Sequence, residues 1–172
     1  MTDFNKLQWA KPKFTQEYRD SADFYIVERR RLLEILRSFY RHFILNKSNN
    51  NVLDLGCGDG IVTHELLGID DSIVATLIDG SEDMLNKAAE RLKGFKNIHI
   101  LKASFQEIIN KKIALQNFNF IVSSLAIHHL TMKEKKALFR TIYSHLNVHG
   151  YFLNIDVILA PAETLEHWYL SL

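Results

Sequence analysis

A glycine-rich turn between acidic residues is the stretch of this sequence best suited to binding chemistry. The run NVLDLGCGDG, residues 51–60, is apolar up to Leu55 and then carries three glycines in five residues. Glycines there let the backbone approach a ligand closely, and the N–H groups at the start of a following helix attract an anionic group. Asp54 precedes the first glycine and Asp59 the last, so the turn also carries negative charge. A ligand for this turn must satisfy both features.

The two acids discriminate between adenosine cofactors. Asp79 follows the last glycine by nineteen residues, and a carboxylate at about that distance accepts the hydroxyls of an adenosine ribose. Two acids roughly 4–6 Å from a pyrophosphate would each oppose it by about 1 kcal/mol or more. An ammonium and a sulfonium would instead be attracted, while the helix start can receive a carboxylate. These demands favour S-adenosylmethionine over a nicotinamide nucleotide. A nicotinamide-dependent oxidoreductase is the remote alternative.

Alternating strand and helix patterns surround this turn. Apolar runs without strict alternation predict strands that are buried on both faces, at residues 51–55, 72–79, 97–101, 118–125 and 150–158. An amphipathic helix is predicted over residues 24–45, and a short one ends near Gly68. Further helix starts are predicted from capping residues and from a proline, at Ser81, Ser104, Thr131 and Pro161.

This order of elements predicts an α/β fold, with a doubly wound, mainly parallel sheet and helices on both faces. Ligands of such sheets bind outside the carboxyl ends of the strands, beside the point where the strand order reverses. The candidate binding residues therefore lie in the segments 54–60, 79–80, 103–105 and 123–129.

Four segments in this order resemble the class I S-adenosylmethionine-dependent methyltransferases. They are VLDLGCGDG, LIDGSEDML, FNFIVSSLAIHHL and LNVHGYFLNID, and the resemblance covers about residues 24–160. It implies a Rossmann-like fold and an S-adenosylmethionine cofactor, with Asp79 holding the ribose and Gly80 or Ser81 near the adenine. The residues expected along the methionine part are Asp54, Gly56, Gly58 and Asp59. Neighbouring residues of the same strand ends are also expected to contact the cofactor, namely Cys57, Ser104, Phe105 and Ser123.

Two positions depart from the family pattern. Ser104 stands where relatives often carry an acid that accepts the adenine amino group, and Ser104 is also the expected cap of a helix. Asn119 stands where many relatives read Asp. Together with the end of the chain, these departures motivate an alternative function, a non-catalytic or partner-dependent protein that binds S-adenosylmethionine.

The sequence stops before the strand hairpin that completes the sheet of the family. Relatives have seven strands, whereas this chain ends within the helix after strand five. Strand five is then an open edge, which proteins normally pair or cover. We therefore expect either a C-terminally truncated domain or a homodimer that covers this edge. The expected organisation is a helical cap over residues 1–48 and an S-adenosylmethionine-binding domain over residues 49–172.

Few side chains are candidates for catalysis. In methyl transfer from a sulfonium the protein positions the reactants, excludes water and, for some acceptors, supplies a base. His128 and His129 follow strand four and are the candidate bases, with packing at a helix start as the alternative. Tyr18, Phe24 and Tyr25 either cover the cofactor, facing its sulfonium by cation–π attraction, or pack in the core.

The composition limits the classes of partner that the protein can be expected to bind. The formal net charge of +1 offers no general field for nucleic acid or an anionic membrane, and the basic run Arg29–Arg31 is expected on a solvated helix face. No apolar run approaches the roughly 18–20 residues of a membrane span. Cys57 is the only cysteine, which fits a reducing compartment. We expect a cytoplasmic protein without a metal site. Its expected acceptor is a small molecule, with a tRNA base or a protein side chain as the lesser options.

Overall fold

A computed structural model describes residues 3–22, 26, 28–45, 50–158 and 162–170 of the chain. Phe24, Tyr25 and Pro161, which the sequence singles out, lie outside the described residues. Their predicted roles therefore stay predictions.

The centre of the fold is a five-stranded sheet in which all paired strands are parallel, in the order β3-β2-β1-β4-β5. The strands are β1 (Asn51–Leu55), β2 (Val74–Asp79), β3 (Ile98–Lys102), β4 (Phe118–Ser124) and β5 (Leu146–Ile155). The chain reverses its direction of travel across the sheet between β1 and β4. The predicted doubly wound α/β fold is confirmed, and its switch point lies beside the glycine turn.

Helices cover both faces of the sheet. They are α1 (Pro12–Asp20), α2 (Arg29–Phe43), α3 (Ile61–Leu67), α4 (Glu82–Arg91), α5 (Phe105–Ile109), α6 (Met132–Ser144) and α7 (Glu163–Leu170). Short 3₁₀ turns occupy Phe4–Lys6, Gln8–Ala10 and Ile127–His129. One core cluster packs α2, α3 and α4 on one face, and a second packs α5 and α6 on the other.

The predicted helix caps are confirmed. Ser81 accepts a hydrogen bond from the Met84 N–H at the start of α4. Reciprocal capping boxes open α5, where Ser104 pairs with Glu107, and α6, where Thr131 pairs with Glu134. Such caps depend on residues three positions apart, so the sequence alone reveals them.

Two element boundaries and the start of the chain differ from the prediction. The amphipathic helix begins at Arg29 because Glu28, with φ of 58°, breaks the helical path. Strand β5 begins at Leu146 rather than Gly150, directly after α6. The first twenty residues, which show little sequence pattern, contain two 3₁₀ turns and α1.

The edges of the sheet are less buried than its centre. Residues of β1 and β4 are almost all buried, whereas those of β3 and β5 are mostly half-buried or exposed. Among the described residues β5 pairs with β4 alone. Val148 in β5 and Ile158 beyond it are each 85% exposed. The predicted open edge at β5 is therefore present in this part of the chain.

Candidate functional site

One cleft opens at the carboxyl ends of the strands, as the fold class predicts. Most of the predicted site residues line it: Asp54, Gly56, Cys57, Gly58, Asp59, Asp79, Gly80, Ser104, Phe105 and His129. Ser81, Ser123 and His128 are not among its lining residues.

Gly56 and Gly58 are needed in the turn for different reasons. Gly56 has φ of +67°, and a Cβ built on it would lie 2.5 Å from the Cβ of Ala126 and 3.1 Å from the Phe105 ring. Gly58 has φ of +52° and no atom within 4 Å of such a Cβ. Gly56 therefore lets the strand ends pack together, whereas Gly58 leaves open space in which a ligand can approach the backbone.

Asp79 ties the glycine turn to the end of β2. Its Oδ2 accepts a 3.0 Å hydrogen bond from the Gly58 N–H, and its Oδ1 accepts a 2.8 Å bond from the Ser81 N–H. Burial raises the pKa of this carboxyl, although these backbone bonds lower it. Each carboxylate oxygen keeps acceptor capacity for a further donor. The carboxylate is thus fixed in place where a diol could donate to it.

Asp54 is a buried acid with an incomplete set of partners. It is only 1% exposed, and its Oδ2 accepts a 2.7 Å hydrogen bond from the Thr63 hydroxyl. Its Oδ1 is buried without a hydrogen-bond partner in the described structure. Burial raises the pKa of Asp54 to about 7, and the charge of Asp79 adds to this rise. A cationic donor at Oδ1 would relieve both the missing bond and the charge repulsion.

Asp59 is paired within the protein, which changes the electrostatic argument made from the sequence. Arg91 forms a salt bridge with the Asp59 carboxylate, and its Nε donates a 2.9 Å hydrogen bond to the Asp59 carbonyl oxygen. Arg91 therefore offsets part of the Asp59 charge, although Asp59 still raises the pKa of Asp54. Asp54 is the acid at the turn that most clearly opposes a pyrophosphate, because an acid at the position of Asp79 also occurs in dinucleotide-binding sites.

The three serines of the predicted site have structural partners. Ser123 is fully buried, and its hydroxyl donates a 2.7 Å hydrogen bond to the Leu55 carbonyl, so it joins β4 to β1 while its neighbour Ser124 lines the cleft. Ser81 caps α4. Ser104 lines the cleft, but its N–H and hydroxyl each donate a 2.8 Å bond to Glu107. The geometry supports the capping role of Ser104 over an adenine contact by its side chain.

The histidine pair is divided between two environments. His128 Nδ1 contacts the Asp156 carboxylate, away from the cleft lining. His129 lines the cleft, with its ring centroid 5.2 Å from that of Trp9 and 3.8 Å from that of His128. Burial of its inner part and the neighbouring His128 lower the pKa of His129 to about 4, although part of its ring reaches solvent. The lowered pKa keeps His129 neutral at neutral pH, and it also makes the imidazole a weaker base than a free histidine.

The N-terminal segment contributes cleft residues that the sequence reading missed. Phe4, Leu7 and Trp9 line the cleft, together with the predicted Tyr18. The Trp9 and Tyr18 rings meet edge to face, with centroids 4.9 Å apart. The available signal was an aromatic residue every four to five positions, at Phe4, Trp9, Phe14 and Tyr18.

Polar contacts anchor this segment to the rest of the fold. The Thr15 hydroxyl donates a 2.6 Å hydrogen bond to Asp83, and Arg19 forms a salt bridge with the same carboxylate. Asp83 lies in the first turn of α4, two residues after Ser81. The segment is thereby held against the end of β2.

The basic run at the start of α2 is only partly solvated. Arg30 and Arg31 are exposed, as expected, but Arg29 is half-buried and lines the cleft. Arg29, the first residue of α2, is therefore less exposed than its two neighbours.

Neither a metal cluster nor a membrane span is found in the described part of the chain. There, no three His, Cys, Asp or Glu side chains are grouped to hold a metal ion. Among the helices described, none combines the length and apolarity that crossing a membrane requires.

Solved structures of other proteins share this fold. A complex of DhpI with SAM and HEP has a TM-score of 0.66 at 17% identity, over 98% of this chain and 73% of that one. An S-adenosylmethionine-dependent methyltransferase from Clostridium acetobutylicum has a TM-score of 0.64 at 22% identity, over 83% of this chain and 55% of that one. At these identities the likeness shows the fold.

Sequence comparison identifies the family. An uncharacterized methyltransferase of Bacillus mycoides is 31% identical over 125 residues, which are 72% of this chain and 54% of that protein. A carboxy-S-adenosyl-L-methionine synthase of Pseudoalteromonas translucida is 24% identical over 128 residues, which are 73% of this chain and 52% of that protein. The chain thus spans about half the length of these curated relatives. A family model described as a methyltransferase domain matches residues 46–169, and the chain therefore belongs to the methyltransferase family, with the class I fold that its motifs predict.

Proposed function

We propose that this chain binds S-adenosylmethionine in the cleft and transfers its methyl group to a small-molecule acceptor. The proposal rests on two residues that line the cleft: Asp54, whose buried Oδ1 has no hydrogen-bond partner in the described structure, and Gly58, whose backbone a ligand can approach. A cationic amino-acid group at this end of the cleft would offset the charges of Asp54 and Asp79. Asp79 stands where ribose hydroxyls can donate to it.

A small acceptor is supported by the lining of the cleft. Trp9, Tyr18 and Leu33 give it an apolar and aromatic wall. The Trp9 Nε1 is buried without a hydrogen-bond partner in the described structure. Among the solved structures of similar fold are a glycopeptide N-methyltransferase and a mitomycin 7-O-methyltransferase. A formal net charge of +1 also gives little attraction for nucleic acid.

Calorimetric titration tests cofactor binding directly. We expect heat of binding with S-adenosylmethionine and with its demethylated product, S-adenosylhomocysteine, and none with a nicotinamide nucleotide. Binding of the nicotinamide nucleotide without binding of either sulfur compound would overturn the proposal in favour of an oxidoreductase.

Turnover needs a separate test, because one relative is named as a synthase of carboxy-S-adenosyl-L-methionine. Incubation with methyl-labelled S-adenosylmethionine and a panel of small acceptors should yield labelled product and S-adenosylhomocysteine. Cofactor binding without product from any acceptor would favour the non-catalytic or partner-dependent alternative.

Replacing Asp79 with alanine should weaken binding of S-adenosylhomocysteine by about 1–3 kcal/mol, since two ribose hydroxyls would lose a charged acceptor. Calorimetry at constant pH measures the loss, and a thermal melt shows how far the unpaired Gly58 and Ser81 N–H groups loosen the fold. The exposed Asp71→Ala is the control and should leave the affinity unchanged. Unchanged affinity in Asp79→Ala would contradict the ribose assignment.

We also propose that a second copy of the chain covers the edge of β5, which has one hydrogen-bonded neighbour in the described structure. Light scattering should then give twice the monomer mass. The edge substitution Val148→Lys should restore the monomer, because a lysine on an edge strand opposes pairing. The exposed Tyr143→Lys on α6 is the matched control. A monomeric wild-type chain would contradict the homodimer.

A further inference from the structure

The ring of Phe4 fills the space that a side chain at Gly80 would occupy. A Cβ built on Gly80 would lie 2.6 Å from Phe4 Cε2 and Cζ and 2.8 Å from Cε1. Gly80 does not adopt the left-handed backbone conformation, unlike the glycines of the turn. The backbone conformation therefore does not require a glycine there, whereas the Phe4 ring leaves no space for a larger residue.

This ring stands between the cleft and a second, more polar hollow. Both hollows are lined by Phe4, Gly80, Ala103, Ser104 and Gln106. The outer hollow is completed by polar residues, Asp3, Asn5, Lys102, Glu107 and Lys112. Phe4 thus forms a partition at the ends of β2 and β3, on the residue next to Asp79.

The ring lies beside the place that a nucleoside base would occupy. If Asp79 receives the ribose hydroxyls, the attached base must lie over the adjoining residues of the two strand ends, which are Gly80, Ala103 and Ser104. Gly80 has no side chain to offer the base, and the side chain and N–H of Ser104 are already bonded to Glu107. The Phe4 ring supplies an apolar π surface at that place.

Resting on the function proposed above, we propose that Phe4 is the stacking partner of the cofactor's adenine and shields it from the outer hollow. The residue comes from the N-terminal segment, which Thr15 and Arg19 hold to Asp83. Binding of the base and docking of this segment are therefore coupled, and each stabilises the other.

Phe4→Ala tests the stacking. The variant should bind S-adenosylhomocysteine and free adenosine about tenfold more weakly, by a similar factor for both, since both carry the base. Phe4→Tyr should retain wild-type affinity. Phe14→Ala is the matched control, because the Phe14 ring contacts Trp9 in the same segment but does not line the cleft. It should leave adenosine binding unchanged.

A double-substitution cycle adds a test of the contact itself. Gly80→Ala should also weaken adenosine binding, because its methyl group must displace the ring. In the Phe4→Ala background the same substitution should cost little, since the ring is already absent.

The outcomes separate the two proposals. Failure of the wild-type chain to bind S-adenosylhomocysteine would overturn the proposed cofactor, and the inference with it. Normal wild-type binding with equal affinity in Phe4→Ala would overturn the inference alone. Tighter binding in Phe4→Ala would also overturn it, by showing that the ring occupies the place of the base. An equal loss of adenosine affinity in Phe14→Ala would show that both substitutions act by loosening the N-terminal segment. The stacking role of Phe4 would then be wrong.

Discussion

Replacing Gly56 with alanine is expected to lower the free energy of unfolding by about 2–5 kcal/mol. The backbone at Gly56 has φ of +67°, which strains any residue with a Cβ, and the new methyl group would lie 2.5 Å from the Cβ of Ala126. The Ala126 Cβ cannot move away unless its backbone, which lies between β4 and α6, moves with it. Urea unfolding measures the loss, and cofactor affinity should fall with it because the turn is displaced.

Gly58→Ala is the matched control for this prediction. Gly58 also has a positive φ, of +52°, but no atom lies within 4 Å of a Cβ there. The substitution should cost only about 1 kcal/mol of stability, while its methyl group stands in the cleft and weakens binding of S-adenosylhomocysteine about tenfold or more. A stability loss as large as that of Gly56→Ala would contradict the assignment of packing to Gly56 and ligand approach to Gly58.

The helices and strands of this fold were predictable where the sequence pattern that indicates them lies within a few neighbouring residues. The capping boxes at Ser104 and Thr131 are read from residues three positions apart, and the apolar runs of β1 and β4 lie within single short segments. The parallel sheet follows because alternating strands and helices admit few other arrangements. The same reasoning places Asp54, Gly58 and Asp79 at one cleft, since the carboxyl ends of parallel strands meet at one edge.

The contacts that complete the site were not predictable, because they join residues far apart in the chain. Asp59 forms a salt bridge with Arg91, thirty-two residues later. Phe4 reaches Gly80, and Trp9 reaches His129, across still longer separations. A sequence pattern does not indicate which distant residues will meet in such pairs. The partial burial of Arg29 was not predicted for a related reason, since it depends on where α2 begins.

Asp54→Asn is expected to stabilise the chain without cofactor at high pH and to weaken cofactor binding. Burial raises the pKa of Asp54 from 3.8 to about 7 in the folded state. Between these values the native state holds a proton that the unfolded state has lost, so stability falls as the pH rises from about 4 to about 7 and is lowest above that range. Asparagine does not ionise and removes this decline, a gain of about 2–4 kcal/mol at pH 8.

Urea unfolding between pH 5 and pH 8 measures this effect, and Asp70→Asn provides a contrast of opposite sign. Burial of Asp70 is outweighed by hydrogen bonds from Ser72, Tyr40 and Asn50, which lower its pKa. Its contribution to stability is present above its unfolded pKa and is lost as the pH falls, so Asp70→Asn should destabilise the fold at neutral pH. For Asp54→Asn, we expect the stability gain at pH 8 to accompany a loss of S-adenosylhomocysteine affinity of at least about tenfold, because an ammonium group loses its buried counter-charge. A variant that is no more stable at pH 8 than the wild type would show that the Asp54 carboxylate is already compensated, and the main support for a cationic ligand would be removed.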